Sequence, residues 1–259
     1  MIKSSYALKD TKIPIFATAI HNGHRFPEEL MPSCGISDRQ RFMEEDPYTC
    51  GFAGMFPNYG IVLSSRFAVD LNRSRDKCVY ITPDDAWGLP VRNTDIPPEL
   101  LDKLYVSYDK WYGIAKHQIE NMLKHNSKLL VLDIHSYNHR RAGIDAPPAP
   151  QIDNPDIIIG RNNLGEELYP RVELLRNRID RIPFMDTGID CRCDVKFSGG
   201  HFSRWVNSSF PGRCICLAIE FKKLFMNEWT DEFDLQAYNE LRLLFYEAVM
   251  DCYSQILSD

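Results

Sequence analysis

Leu129-Leu130-Val131-Leu132-Asp133-Ile134 runs without a break into His135-Ser136-Tyr137, and this junction decides how the chain is read. A run that is apolar but for one acid suits a strand covered on both faces, because a strand with one wet face alternates apolar with polar residues. Packing alone does not account for a histidine at the end of such a strand. Imidazole is the commonest protein metal ligand, and a neighbouring carboxylate such as Asp133 can fix its tautomer. The theme recurs upstream, where Ile15 to Ile20 leads into His21-Asn22-Gly23-His24-Arg25-Phe26-Pro27 and Gly23 permits a tight turn. Taken alone, that second cluster is equally a turn carrying two solvated histidines.

Outward from these two strands, short β-branched or apolar runs alternate with longer amphipathic ones. Further strands are predicted at Tyr59 to Ser64, Lys77 to Tyr80, Ile157 to Gly160 and Ile215 to Phe221. Helices are predicted at Asp38 to Glu44, Pro98 to Lys124, Leu164 to Asn177 and Asp231 to Leu257, with Pro97-Pro98 opening the second and Asp234 or Asp231 capping the last. The alternation predicts an α/β fold with a mixed or parallel sheet. In such folds ligands bind beyond the carboxyl ends of the strands, where His21, His135 and Glu220 fall. Pro147 to Pro155 is too short for a domain linker, so one domain over 1–259 is expected.

The 259 residues are 44% hydrophobic and 25% charged, ordinary values for a soluble globular protein. The net charge of −6 and the lack of a long basic run argue against nucleic acid and anionic membrane as partners. No apolar leader follows the N-terminal lysine, and no stretch has the length of a membrane span, so a cytoplasmic protein is expected. Cys191-Arg192-Cys193 and Cys214-Ile215-Cys216 could suggest a four-thiolate site, but structural zinc sites use wider spacing, and buried reduced thiols are expected instead. Dinucleotide-binding, P-loop and nucleophile-elbow motifs are missing.

Four more constellations could carry chemistry. Glu44-Glu45-Asp46-Pro47 could supply a carboxylate to a His, carboxylate, His metal set, or be a solvated helix end. Arg66 to Asp76 places three arginines among two aspartates and Asn72, giving guanidinium forks suited to carboxylates or a surface ion-pair network. Ser198-Gly199-Gly200-His201-Phe202-Ser203-Arg204-Trp205 suits a close backbone approach, a mobile lid or a plain loop. Glu220 lies inside an apolar strand, where an acid is either paired or functional.

Taken together, His21-Asn22-Gly23 with Phe26-Pro27, Glu45-Asp46, Val69-Asp70-Leu71-Asn72-Arg73, Asp133-Ile134-His135-Ser136, Gly199-Gly200 through Arg204, and Ile219-Glu220 resemble the N-formylglutamate amidohydrolase family in identity and order, from about residue 15 to 225. The Asp-x-Asn-Arg and Ile-His-Ser-Tyr strings are also similar to those of zinc carboxypeptidases. The resemblance implies a three-layer α/β/α sandwich on a mixed, mostly parallel sheet, of the carboxypeptidase/phosphorylase-like kind. It further implies an amidohydrolase that cuts an N-acyl, formyl-type amide of a small carboxylate-bearing substrate. His21, Asp46 and His135 would hold Zn2+ and leave one position for water, with Glu220 as general base and then acid. Arg66 would stabilise the oxyanion, Arg73 with Asn72 and Arg204 would clamp the carboxylate, and Asp70 would orient Arg73.

The sequence also departs from the family. His24 stands where arginine or threonine is common and where carboxypeptidases carry a glutamate ligand, so His24 and Glu45 stay open as ligands in place of Asp46 or beside it. His201 stands where tyrosine is frequent and could tune substrate choice. The rival readings are a peptidase or N-acyl amino-acid deacylase of the same superfamily, an iron oxygenase built on a two-histidine, one-carboxylate triad, and a catalytically silent binding protein.

Overall fold

The computed structural model describes residues 2–185 and 187–258. Seven strands form one mixed sheet in the order β1-β3-β2-β4-β7-β5-β6. They are β1 (Ser4–Leu8), β2 (Ile15–Ala19), β3 (Asn58–Val62), β4 (Leu129–Tyr137), β5 (Ile157–Gly160), β6 (Cys191–Cys193) and β7 (Cys214–Lys222). The four central strands β3, β2, β4 and β7 are parallel to one another, and β1 and β5 join them antiparallel at either side. The helices are α1 (Asp38–Glu44), α2 (Thr49–Ala53), α3 (Pro98–Leu123), α4 (Tyr169–Asp180), α5 (His201–Ser209) and α6 (Leu235–Ile256).

The period-2 alternation of the central strands sorts side chains between two cores. Leu130, Leu132, Ile134, Ile215, Leu217 and Ile219 pack with residues of α2, α4 and α6 on one face. Leu129, Val131, Cys214 and Cys216 pack with α3 and α5 on the other. The result is the three-layer α/β/α arrangement. The α3/α5 face has a further consequence, because the same parity that buries Leu129 and Val131 places Asp133 and His135 there. On β7 the parity of Cys214 and Cys216 brings Ala218 and Glu220 to that face.

Local chemistry sets the element ends. Ser37 caps α1 in a reciprocal capping box with Gln40, and the Asp234 side chain accepts from the Ala237 N–H at 2.9 Å to open α6; a cap of this kind contributes about 1 kcal/mol. Pro98 takes the first turn of α3. Among the described residues no helix is long and apolar enough to cross a membrane.

Three sequence expectations need correction. Lys77 to Tyr80 is not a strand: Lys77 ends a 3-10 turn, and Cys78, Val79 and Tyr80 are buried by packing into two different core clusters without a sheet partner. The helix expected from Leu164 starts at Tyr169, after a separate 3-10 turn over Glu166–Leu168 and with Pro170 in its first turn. The Ser198 to Trp205 segment is not a plain loop, since His201 begins α5 there. The short strands β1 and β6 and helix α2 had no prediction. All eight cysteines are free, five of them buried, with no four-thiolate cluster among the described residues.

Candidate active site

β2 is buried at every residue, and its extension brings His21 to the floor of a cleft. The Asp46 N–H donates to the His21 carbonyl at 3.1 Å, tying the loop after α1 to that strand end. On β4, Asp133 and His135 share a face two residues apart, and His135 Nε2 lies 3.0 Å from Asp133 Oδ1. His21 Nε2 likewise lies 2.8 Å from Asp70 Oδ1. Both imidazoles thus turn Nε2 outward to a buried carboxylate and Nδ1 inward to the same Asp46 oxygen, at 3.5 Å from His21 and 3.0 Å from His135. The ligand atoms of His21, Asp46 and His135 all fall within 4.8 Å of one another, and all three residues are buried.

This geometry fits a metal ion: two imidazole nitrogens and one carboxylate converge, and each ring faces a carboxylate on its far side, hydrogen-bonded at His21 and in close contact at His135, as in metal-binding histidines. Burial opposes the charge on Asp46, yet the His135 and His21 contacts hold its carboxyl below the usual range. Burial would lower the His135 pKa, but Asp133 and Asp46 raise it well above the ordinary value. The two alternative ligands pair with each other instead. His24 Nδ1 lies 2.5 Å from Glu45 Oε2, and the other Glu45 oxygen accepts from Ser65, so His24 and Glu45 occupy each other beside the cluster.

Register supplies the next residue. In the parallel β4/β7 pair His135 stands opposite Glu220. The Glu220 carboxyl has no hydrogen-bond partner among the described residues, and burial, only partly offset by the charge of His135, pushes its pKa up to about 8.

The Arg66 to Asp76 segment is organised differently from expectation. Asp70 does not orient Arg73. It is fully buried, its Oδ1 receives His21 and the Asn72 N–H (2.7 Å), and its Oδ2 receives the Arg66 guanidinium (2.8 and 3.2 Å) and the Tyr80 hydroxyl. Burial opposes its charge, but Arg66 and His21 outweigh that and hold the carboxyl well below the usual range. Arg66 Nη1 is left without a partner, and the Arg73 guanidinium has none among the described residues. Both arginines line the cleft with Asn72, His201 and the exposed Arg204. Asn72 Oδ1 accepts from the Phe202 N–H at 3.0 Å at the start of α5, and a Cβ on Gly200 would meet that oxygen at 2.1 Å, which explains the glycine. Arg204 donates to the Gly199 carbonyl at 3.2 Å. Burial and the nearby Arg204 charge lower the His201 pKa.

Sequence reasoning missed four residues. Tyr80 was hidden in the misread strand. Lys223, at 1% exposure, donates 2.8 Å bonds to the carbonyls of Met43 and Glu45, and so holds the chain just before Asp46. A second lysine directly after the strand, following Lys222, was the available signal. Lys196 donates to Asn154 Oδ1 at 2.7 Å and lies 4.8 Å over the Tyr137 ring, and Trp87 stands beside Arg66; both line the cleft.

The model of the N-formylglutamate amidohydrolase family matches residues 13–226. The chain belongs to that family. As a member it is an enzyme, a hydrolase. An N-formylglutamate amidohydrolase from Ralstonia eutropha superposes with a TM-score of 0.71 over 98% of this chain and 100% of its own, at 14% identity. A gene product from Agrobacterium tumefaciens gives 0.66 over 96% and 95%, also at 14% identity. At such identities the likeness is one of fold. A carboxypeptidase A from Helicoverpa armigera, at 11% identity, a TM-score of 0.39 and coverage of 99% and 68%, is too distant to carry any inference. No curated protein sequence matches the chain.

Proposed function

We propose that this family member is a zinc-dependent amidohydrolase that cleaves the N-acyl amide of an amino acid or similar small carboxylate-bearing substrate. One observation carries the reading: Nδ1 of His21, Nδ1 of His135 and the Asp46 carboxylate converge, with the unpartnered Glu220 carboxyl in register beside His135. His21, Asp46 and His135 would hold the ion. Bound there, zinc supplies Lewis acidity and the capacity to make water a nucleophile near neutral pH.

The protein groups then divide the remaining work. Glu220 takes a proton from the attacking water and returns it to the leaving nitrogen, a role its unpartnered carboxyl beside His135 is free to perform. Arg66 is anchored through Nε and Nη2 on Asp70, which leaves Nη1 to donate to the amide oxygen as that atom gains charge. Arg73 offers an uncommitted planar fork to the substrate carboxylate, with the Asn72 amide and Arg204 beside it. These local cations matter because the chain as a whole, at −6, repels anions.

Chelation and metal replacement test the reading. Activity on N-acyl amino acids should vanish on metal removal and return with stoichiometric zinc. Turnover indifferent to chelator would remove the metal from the scheme. A panel of formyl-, acetyl- and succinyl-amino acids against dipeptides separates acyl hydrolysis from peptidase action.

A further inference from the structure

The cleft encloses about 980 Å³, at the upper end of the roughly 300–1,000 Å³ of clefts that bury drug-sized ligands. A formylated amino acid fills little of it. Among the described residues, several large hydrophobic side chains are exposed, and of these only Trp87, at 44%, also lines the cleft.

Its placement is specific. Trp87 closes the 3-10 turn Pro83–Ala86 with φ 44° and ψ 35°, a left-handed conformation that a bulky residue rarely adopts, although a glycine follows immediately at Gly88. The turn is braced, since the Ile81 and Thr82 N–H groups both donate to the Asp85 carboxylate, at 3.0 and 2.8 Å. Behind the indole lie the buried rings of Phe67 and Tyr80, and the Arg66 guanidinium stands 5.1 Å from the ring centroid. Capping a turn does not require tryptophan, because glycine or asparagine fits this backbone without strain. The indole therefore lies against the guanidinium to which the proposed mechanism gives the amide oxygen, in the same cleft as Asn72 and Arg73.

Building on the amidohydrolase reading, we infer that Trp87 is the wall of an acyl-group subsite, and that the substrate carries a flat, apolar acyl group larger than formyl, such as an arylacetyl group. A substrate anchored by its carboxylate on Arg73 and by its amide oxygen on Arg66 projects the acyl substituent along the indole. There an aromatic ring gains buried apolar contact that formyl cannot make.

The test compares N-phenylacetylglutamate with N-formylglutamate. Binding is measured by calorimetry on zinc-loaded Glu220→Gln, and turnover on the active enzyme. Phenylacetyl should bind about tenfold tighter than formyl, the scale on which an apolar pocket separates ligands. Trp87→Ala in the same background should collapse that ratio, and Trp87→Phe should keep most of it. Equal binding of the two ligands, or an unchanged ratio in Trp87→Ala, overturns the subsite. Should Trp87→Ala not fold, the change of indole fluorescence on adding the phenylacetyl ligand decides: it should be lost in Trp87→Phe, and a change equal to the parent's overturns the inference. If phenylacetyl binds through Trp87 but neither compound is hydrolysed by the active enzyme, the subsite stands and the amidohydrolase reading falls.

Discussion

His135 and Glu220 line the cleft from adjacent strands with Asp133 buried behind His135, whereas Asp46, Arg66, Arg73 and Trp87 line it from loops with Asp70 buried behind His21. On the strand side, position follows from register: once β4 and β7 pair, His135 and Glu220 are neighbours, and Asp133 is under His135 by alternation. On the loop side, the two carboxylates are fixed by hydrogen bonds to distant partners, Asp46 through the His21 carbonyl and the Lys223 anchor, Asp70 through His21, Arg66 and Tyr80. The strand half is rigid by construction. The loop half is rigid only as long as its buried charges stay paired, and substitutions on the two sides should fail in different ways.

The largest expected effect is on the strand side. Glu220→Gln should reduce kcat by about 10² to 10⁴, the range of a lost general base, with metal content unchanged by elemental analysis. Loss of the metal instead would make Glu220 a ligand. The metal-free protein gives a second readout. Because the folded pKa is raised from 4.5 to about 8, native Glu220 keeps its proton where the unfolded glutamate has lost it. Its contribution to stability is therefore full below pH 4.5 and is lost as pH rises through about 8. Denaturation midpoints followed across that window should fall less steeply in Glu220→Gln, and equal slopes would mean the carboxyl is not held protonated.

On the loop side, Arg73→Lys keeps the charge and removes the planar fork. For a carboxylate-bearing substrate kcat/KM should drop by about 2–3 kcal/mol, while the matching carboxamide should change little. Equal losses on both substrates would make Arg73 structural and move carboxylate recognition to Arg204.

Paired substitutions sharpen the contrast. Asp133→Asn and Asp70→Asn each remove the carboxylate behind one histidine and should each weaken metal binding about 10- to 100-fold in competition with a chelator. At saturating metal they should part company. Asp133→Asn should recover most of its kcat, but Asp70→Asn also strands the partly buried Arg66 guanidinium and should stay slow and less stable. Identical behaviour would erase the distinction between the two halves.

The same division explains what was legible in the sequence. Apolar runs ending in His21, His135 and Glu220 can be read because burial and alternation are local properties of the chain. Pairings in the loops cannot. Asp70 is three residues from Arg73 and was expected to serve it, yet it bonds to His21, 49 positions away, and to Tyr80. The Cys78-Val79-Tyr80 run has the composition of a strand, yet it pairs with none and is buried by packing into two core clusters. Trp87 gave no signal, because strain and a place on the cleft wall are properties of the folded backbone.

The smallest expected effect tests the loop anchor itself, and two physical terms oppose each other there. Lys223→Met keeps the stem but removes the buried ammonium. Losing its bonds to the Met43 and Glu45 carbonyls should loosen the chain before Asp46 and weaken metal binding. Losing its positive charge should favour a cation nearby, since Lys223 and Asp46 sense each other electrostatically. With the two terms offsetting, metal affinity should change by less than about tenfold, on the scale of one charged hydrogen bond or less. Hydrogen exchange isolates the first term, because the Asp46 amide, bonded to the His21 carbonyl at 3.1 Å, should exchange faster in the variant while amides of β4 and β7 keep their protection. Unchanged exchange at Asp46 would mean that register and the His21 contact hold the loop unaided, and that Lys223 faces the cleft for the substrate rather than for its neighbour.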